Sequence, residues 1–475
     1  MQRILRWAAG SGFVPCEPTP LVGAFLRREV AFRESPCVLL LPPLWDHHGH
    51  VAGFGALLEQ ADLRGCASVQ EALDRLKAAS ARLSPGVWLE GFGWDQNLWG
   101  GAYPDRWQLD ALFPDEPVLL TRIDGHAAWA NSEALRRAGV EDGVQDPPGG
   151  VFLRGTGRLT GVLLDRAMER VRQAVPKPAR SALRSRALCA LESLRSVGLC
   201  GVSDMGTEPE ALEALRDLDG ECALPLPVDS YPHVSGESTW WGPSEGDRLA
   251  VVGGKLFADG ALGSRGAALF EDYCDAPGER GLLLRETREL AHAIQSVAAA
   301  GMIPAIHAIG DRALEQVLDA LALCGNPPAR IEHAQTVTDG QLARLAASGA
   351  TASVQPCHYL SDRAWVKARL GGRENGAYRC GSLLRAGVPL LLGTDFPIEP
   401  PGPWRNFHAC AARGEGEGLS LSEVLEAYAP PPGRGVPGSL TLVACEGPEA
   451  LGEDPAGGGG CWRGWVPPSG DAGPP

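Results

Sequence analysis

Two histidines one residue apart, His48 and His50, follow a nearly uncharged run over residues 36–45. Side chains at positions i and i+2 of an extended chain point to the same side. The two imidazoles could therefore bind one ion together, and imidazole is a common ligand of zinc and other transition metals. A loop that only happens to contain several histidines would show the same local pattern. A metal site therefore requires further ligands from elsewhere in the chain.

Four more polar residues stand at the ends of other predicted strands, namely Lys255, His307, His333 and Asp395. Each could be an ordinary hydrogen-bonded or capping residue, but four imidazoles and a carboxylate together suit Zn²⁺ or a similar divalent ion. Lys255 does not fit as an ammonium, because a cation would repel the metals. A neutral buried amine can instead react with carbon dioxide to give a carbamate, which can bridge two ions. Burial and nearby cations favour the neutral amine, because they lower a lysine pKa.

These residues need a scaffold that gathers strand ends. Eight short apolar strands separated mostly by helices are predicted, at 38–45, 200–204, 223–228, 249–257, 302–307, 329–333, 350–355 and 388–395. Such alternation is typical of a parallel sheet covered on both faces, and eight strands favour a closed (β/α)8 TIM-like barrel of the α/β class. The carboxyl ends of barrel strands converge on one face, where active sites lie. The sequence therefore predicts one metal site at that face.

The segments outside this alternation are predicted to be an insertion and two tails. Residues 60–165 are expected to form a large insertion after the first strand, within a barrel that spans 38–429. Ser68 is predicted to cap a helix of this insertion, with Glu71 as its partner three residues on. Residues 1–37 suggest only a few short strands, and residues 430–475 are rich in Gly and Pro with one short apolar piece.

Composition narrows the classes of function. Of the 475 residues, 44% are hydrophobic and 21% charged, as is usual for a soluble globular protein. The formal net charge is −15 and no Lys/Arg run stands out, which argues against nucleic acid or membrane as a partner. The 13 cysteines are scattered without a C-x-x-C pair, so free thiols in the reducing cytoplasm are expected. No secretory signal or transmembrane helix is predicted.

The series Asp46-x-His48-x-His50, Lys255, His307, His333 and Asp395 resembles the amidohydrolase superfamily. Over about residues 38–430 the chain is similar to the amidohydrolase family 3 branch, which includes N-substituted formamide deformylase-like enzymes. The motifs that carry the resemblance include Lys255-Leu-Phe-Ala-Asp-Gly-Ala-Leu-Gly-Ser-Arg265, His307-Ala-Ile-Gly-Asp-Arg-Ala313, Arg330-Ile-Glu-His-Ala-Gln335 and Gly393-Thr-Asp-Phe-Pro397.

The resemblance implies two divalent metal ions, with zinc as the expected metal. The implied ligands are His48, His50 and Asp395 for one ion and His307 and His333 for the other, with carbamylated Lys255 as the bridge. It further implies that a hydroxide between the metals attacks the substrate and that Asp395 passes its proton to the leaving amine. The expected reaction is hydrolysis of a non-peptide carbon–nitrogen bond, in an amide or in an N-formyl or N-acyl amine.

The family also implies where the substrate and the termini lie. Its insertion covers the barrel mouth, which makes His126 and Trp94 candidate substrate contacts, and Arg265 follows Lys255 on the same loop. A structural histidine in a turn and a structural ion pair are the alternatives for His126 and Arg265. Relatives build a small β-sandwich from both termini. Because the usual C-terminal motif is incomplete here, a reduced sandwich of 1–37 plus 430–475 is expected.

Two other functions use the same residues. The site could serve a deaminase or a cyclic-amide hydrolase that acts on a heterocycle. The incomplete termini also allow a catalytically inactive protein that keeps the fold and binds a ligand, although retention of every ligand position argues against it. In each case the expected partner is a small molecule, and a homo-oligomer is compatible with the resemblance.

Overall fold

The computed structural model describes residues 2–18, 35–81, 87–123, 125, 127–147, 149–234, 241–414, 416–434, 440–445, 447–452 and 462–466. The chain forms two compact units, one of Met1–Ala52 with Ala187–Pro475 and one of Gly53–Arg186. The second unit includes residues on both sides of the predicted insertion at 60–165. Within the described ranges, no helix is both long enough and apolar enough to cross a membrane.

Strands and helices alternate through most of the chain. The strands are β1 (Arg3–Ala8), β2 (Gly12–Pro15), β3 (Cys37–Leu41), β4 (Leu44–Gly49), β5 (Ala61–Asp62), β6 (Leu89–Trp94), β7 (Val118–Arg122), β8 (Ala127–Ala130), β9 (Gly150–Gly155), β10 (Arg158–Asp165), β11 (Leu199–Thr207), β12 (Val228–Pro232), β13 (Ser244–Glu245), β14 (Leu249–Val251), β15 (Gly253–Phe257), β16 (Ile303–Ala308), β17 (Arg330–His333), β18 (Thr351–Val354), β19 (Leu390–Leu392), β20 (Leu440–Cys445) and β21 (Trp462–Val466). The α-helices are α1 (Val51–Glu59), α2 (Val69–Ser80), α3 (Arg106–Asp110), α4 (Ser132–Arg137), α5 (Ala167–Arg172), α6 (Arg180–Ser196), α7 (Pro209–Gly220), α8 (Thr287–Ala299), α9 (Asp311–Leu323), α10 (Asp339–Ser348), α11 (Pro356–Asp362), α12 (Val366–Leu370), α13 (Cys380–Arg385), α14 (Trp404–Ala412) and α15 (Leu421–Ala427).

Two five-stranded sheets of the first unit are built almost entirely of parallel pairs. One has the order β13-β14-β12-β11-β4 and the other the order β15-β16-β17-β18-β19. All neighbours in them are parallel except the short β13. Two isolated parallel bridges join these sheets, one between Gly49 of β4 and Phe396 after β19, the other between His233 after β12 and Lys255 of β15. These contacts bring the carboxyl ends of the parallel strands to one face.

The predicted first strand, 38–45, is divided in the structure. β3 lies in a five-stranded sheet with the order β2-β1-β3-β20-β21, whereas β4 pairs with β11. Pro42 and Pro43 separate the two strands, and proline has no N–H to donate to a ladder. The strand that carries the histidines is thus shorter and later than predicted. The described strands of the two termini lie in this one sheet, and the reduced sandwich of 1–37 plus 430–475 stays a prediction.

Two other predicted barrel strands differ from the observed ones. The stretch 223–228 is mostly not a strand, because β12 begins only at its last residue, Val228. Pro225 and Pro227 explain the shift, since proline lacks the N–H that a strand donates to its neighbour and is rare within central strands. The predicted strand 249–257 is interrupted at Val252 into β14 and β15. The remaining predicted strands match observed ones within a few residues at each end.

The second unit has its own sheet and core. Its six strands have the order β5-β6-β7-β8-β10-β9, and two clusters of buried side chains flank them. The predicted cap of α2 is confirmed, because the Ser68 side chain accepts a hydrogen bond from the Glu71 amide at 3.1 Å. The Glu71 carboxylate accepts a hydrogen bond from the amide of Ala67, whereas a capping box would have it accept from the amide of Ser68.

Candidate metal centre

The strand ends of the first unit bring the predicted ligands together. His48 lies in β4, Lys255 in β15, His307 in β16 and His333 at the end of β17. Asp395 follows β19, and its amide donates a hydrogen bond to the carbonyl of His48 at 2.7 Å. His50 comes directly after β4. Because these strands run parallel, their carboxyl ends place the side chains at one face.

The side chains converge on the carboxylate of Asp395. Oδ1 of Asp395 lies 2.9 Å from Nε2 of His50 and 3.5 Å from Nε2 of His48. One ligand atom each from His48, His333 and Asp395 lies within 4.8 Å of the others, close enough to hold a single ion. The ring of His307 follows next to His333, with centroids 4.5 Å apart. The cluster therefore combines residues of both predicted ligand sets.

Glu332 fixes the orientation of His48. Nδ1 of His48 donates to Oε2 of Glu332 at 2.6 Å, and both side chains are essentially inaccessible to solvent. Nε2 of His48 is then left buried without a hydrogen-bond partner in the described structure. A metal-binding histidine almost always donates its second N–H to a carboxylate or carbonyl. The pair thus has the arrangement that a metal ligand requires.

The imidazoles of His50 and His333 are oriented by hydrogen bonds at Nδ1. Nδ1 of His50 lies 2.6 Å from the carbonyl of Met205, and Nδ1 of His333 lies 2.7 Å from Oε1 of Gln355. In both residues Nδ1 is engaged, which leaves Nε2 of His333 for an ion. Nε2 of His50 instead faces Oδ1 of Asp395 at 2.9 Å. His307 differs, because its Nε2 lies 3.4 Å from the carbonyl of Gly260.

Lys255 is a fully buried amine next to the histidines. The residue is 1% exposed, and Nζ has no hydrogen-bond partner in the described residues. Burial lowers the pKa of Lys255 to about 8. The neutral amine, which carbamate formation requires, is therefore accessible at a lower pH than for an ordinary lysine. An unpaired buried amine and an unpaired imidazole nitrogen on one face fit a metal centre.

The charge states also fit divalent-metal binding. Burial, together with the charge of Lys255, lowers the pKa of His48 to about 4 and that of His307 to about 3. Burial alone would raise the pKa of Asp395, but the imidazoles of His48 and His50 hold it well below its usual value. At neutral pH the site therefore offers neutral imidazoles at His48 and His307 and a charged carboxylate, which are the protonation states that a metal binds. His50 differs, because burial would lower its pKa but the hydrogen bond and charge of Asp395 raise it.

The other residues of the first histidine motif support the site without entering it. The carboxylate of Asp46 accepts hydrogen bonds from the amides of His48 and Thr394, at 3.0 and 3.1 Å, and from the Thr394 hydroxyl at 2.7 Å. Asp46 thereby fastens β4 to the segment that carries Asp395. His47 points elsewhere, with Nε2 3.0 Å from the carbonyl of Ala429.

The predicted substrate contacts have other surroundings where they are described. His126 lies outside the described residues. Trp94 is 0% exposed in the core of the second unit, and its indole N–H donates to the carbonyl of Leu120. Arg265 forms an ion pair with Asp275 at 3.0 Å, which is the structural alternative considered for it. A substrate contact of any of these residues stays a prediction.

Sequence reasoning assigned no role to Glu332, Gln355 and His358, which also lie at the centre. Glu332 directly precedes His333, and Gln355 directly follows β18. His358 lies two residues into α11, and its Nε2 is 3.7 Å from Oδ2 of Asp395. The signal available in the sequence was a glutamate, glutamine or histidine within a few residues of a predicted strand end.

Comparison with known proteins gives consistent matches. A model of the family described as "Amidohydrolase family" matches residues 38–432. The chain is similar to Protein LONG AFTER FAR-RED 3 of Arabidopsis thaliana, with 32% identity over 79% of this chain and 69% of that protein. It is 26% identical to N-substituted formamide deformylase of Arthrobacter pascens, over 80% of this chain and 75% of that one. A solved structure of an uncharacterized metal-dependent hydrolase from Pyrococcus furiosus is similar at a TM-score of 0.73 and 30% identity, covering 90% of this chain and 92% of that one.

Proposed function

The chain belongs to the amidohydrolase family of metal-dependent hydrolases, and from this premise we propose that it hydrolyses a non-peptide carbon–nitrogen bond in an amide or in an N-formyl or N-acyl amine. The observation that carries the proposal is the convergence of His48, His333 and Asp395 within 4.8 Å. The relative named N-substituted formamide deformylase supports the N-formyl class.

The proposed cofactor is a pair of divalent ions, with zinc as the metal that suits this mixture of imidazole and carboxylate donors. The proposed ligands are His48, His50, Lys255 as a carbamate, His307, His333 and Asp395. Bound ions would supply an acidic water and polarise the substrate carbonyl. The unpaired nitrogens of His48 and Lys255 support this assignment, because buried polar atoms rarely lack a partner.

Asp395 is the proposed proton carrier. Its carboxylate is charged at neutral pH, so it can accept a proton from the attacking water. Transferring that proton to the departing nitrogen converts the nitrogen into a neutral amine, a far better leaving group than an amide anion. The base of the first step thereby becomes the acid of the second. His50, 2.9 Å from Oδ1, helps to keep the carboxylate in place.

The proposed scaffold is a closed (β/α)8 barrel of β4, β11, β12, a bent β14–β15 strand and β16 to β19. The bridges from Gly49 to Phe396 and from His233 to Lys255 support closure, because one links β4 to the segment after β19 and the other links the segment after β12 to β15. A cytoplasmic location and a homo-oligomeric state stay predictions.

The test combines metal analysis with a hydrolysis screen. The purified chain is expected to contain divalent metal and to release amine from members of a panel of N-formyl and N-acyl amines. The Asp395→Asn variant should lose at least about 100-fold in kcat, the usual contribution of a proton-transferring residue. Ammonia release from purines or hydantoins alone would favour the heterocycle alternative. A metal-loaded chain that hydrolyses no substrate of the panel would refute the proposal.

A further inference from the structure

His358 is a histidine outside the predicted ligand set that lies at the metal centre. Its ring stacks on that of His333, with centroids 6.2 Å apart and an interplanar angle of 16°. The side chain is 11% exposed, and its Nε2 lies 3.7 Å from Oδ2 of Asp395. Nε2 is buried and has no hydrogen-bond partner among the described residues. A buried nitrogen without a partner is unfavourable, so we expect Nε2 to form a hydrogen bond in the working enzyme.

The two oxygens of Asp395 have different neighbours. Oδ1 faces the imidazoles of His50 and His48, at 2.9 and 3.5 Å. Oδ2 faces His358. If Oδ1 lies on the side of the metal ligands, Oδ2 is the oxygen left to carry a proton. His358 is therefore placed beside the reacting oxygen of the proposed proton carrier.

The backbone around His358 is fixed relative to Asp395. The amide of Cys357 donates to Oδ1 of Asn406 at 2.7 Å, and Nδ2 of Asn406 donates to the carbonyl of Gly393 at 2.7 Å. Asn406 is itself fully buried. One side chain thus connects the start of α11 to the strand end that carries Asp395, which makes the approach of His358 a built feature of the site.

We propose that His358 is a positioning residue whose Nε2–H donates a hydrogen bond to Oδ2 of Asp395 while that oxygen delivers a proton to the leaving nitrogen. The inference rests on the proposed function. A hydrogen on Nε2 is attracted by the negative oxygen, whereas a lone pair there would be repelled. The separation of 3.7 Å is too long for a hydrogen bond in the present arrangement. Catalytic hydrogen bonds commonly shorten when substrate binds.

The benefit arises in one step of the reaction. The O–H bond on Oδ2 of Asp395 breaks as an N–H bond forms on the leaving nitrogen, and the C–N bond breaks with its electron pair remaining on nitrogen. Negative charge grows on Oδ2 during this transfer, so a hydrogen bond from His358 becomes stronger in the transition state than before it. Substrates whose leaving amine needs no proton should gain nothing from His358.

The test compares leaving groups on one acyl group, an alkylamide and a p-nitroanilide. His358→Phe keeps an aromatic ring against His333 but cannot donate, while His358→Gln can donate. The control is His292→Gln, since His292 is exposed on α8. We expect His358→Phe to lower kcat for the alkylamide by about 10- to 100-fold, with KM and metal content unchanged. The p-nitroanilide should lose less than about threefold, and His358→Gln should recover part of the loss.

Other results contradict the inference in distinct ways. Equal losses on both substrates would mean that His358 does not act in proton delivery, and loss of bound metal would show a structural role instead. Unchanged kinetics would exclude any role. If His358→Phe does not fold, His358→Met, which also lacks a donor, takes its place beside His358→Gln. Failure of the unmodified enzyme on both substrates would refute the proposed function itself, before the variants are compared.

Discussion

Replacement of Glu332 by Gln should weaken metal binding although Glu332 touches no metal in the proposed site. Its carboxylate accepts from Nδ1 of His48 at 2.6 Å and from Nε of Arg330 at 2.9 Å. Burial alone would raise the pKa of Glu332, but Arg330 and His48 hold it well below its usual value. Glu332 is therefore an anion that accepts on both sides.

Neither orientation of a glutamine amide satisfies both neighbours. If the NH₂ group faces His48, then Nδ1 must accept and the ring hydrogen moves to Nε2, the atom proposed to bind metal. If the NH₂ group faces Arg330, two donors oppose each other. Loss of such a partner typically lowers metal affinity 10- to 100-fold, or about 1.4 to 2.7 kcal/mol. The metal-free protein should also be destabilised, by at most about 3–5 kcal/mol, because Arg330 loses its buried counter-charge.

Competition with a chromophoric chelator measures the affinity, and denaturant unfolding of the metal-free protein measures the stability. Glu192→Gln is the matched control, since Glu192 is exposed and forms a surface pair with Arg195 at 2.6 Å. That control should shift neither quantity by more than about 1 kcal/mol. A Glu332→Gln variant with the metal affinity and stability of the parent would show that His48 is not oriented by this carboxylate.

Three further outcomes are expected. The metal-free parent should become more stable relative to Lys255→Met as pH rises from about 8 towards 10.5. The pKa of Lys255 is about 8 in the folded protein and 10.5 unperturbed, so the unfolded chain binds more protons in that interval. Denaturant unfolding measures this, and an equal pH dependence of both proteins would contradict it. Added bicarbonate should raise the activity of metal-depleted, reconstituted parent enzyme and leave Lys255→Met unaffected, as measured by initial rates. Gly393→Ala should lower metal content and melting temperature, because its Cβ would lie 2.5 Å from the amide nitrogen of His48; a fully loaded variant with unchanged melting would show that the segment can move.

The site was more predictable than the scaffold because its ligands follow strands whose apolar character is local. Whether a strand ends in His307 or Asp395 can be read without knowing its neighbours in the sheet. Strand limits depend on pairing, which the sequence does not display. The run over 38–45 has uniform hydrophobicity, yet Pro42 and Pro43 divide it between two sheets. These prolines were visible, but only the pairing of β3 with β20 shows their consequence.

The second gap lies in side-chain direction. Strict alternation along β17 places Glu332 and His333 on opposite faces, so only one of them should reach the metal centre. In the structure His333 has a φ of 73°, outside the extended region, and alternation ends there. Glu332 then accepts a hydrogen bond from His48, and the ring centroids of His333 and His48 lie 4.8 Å apart. Asp395, with a φ of 59°, departs from its strand in the same way.

The left-handed backbone at His333 and Asp395 is disfavoured for residues with a side chain, and it persists only where the surroundings hold it. Arg330 provides much of that support at β17. Its Nη2 donates to the carbonyl of His47 at 2.6 Å and to the Ser353 hydroxyl at 3.0 Å, which ties β17 to β4 and β18. The strand ends that carry His48 and His333 are thus fixed to each other by protein contacts alone.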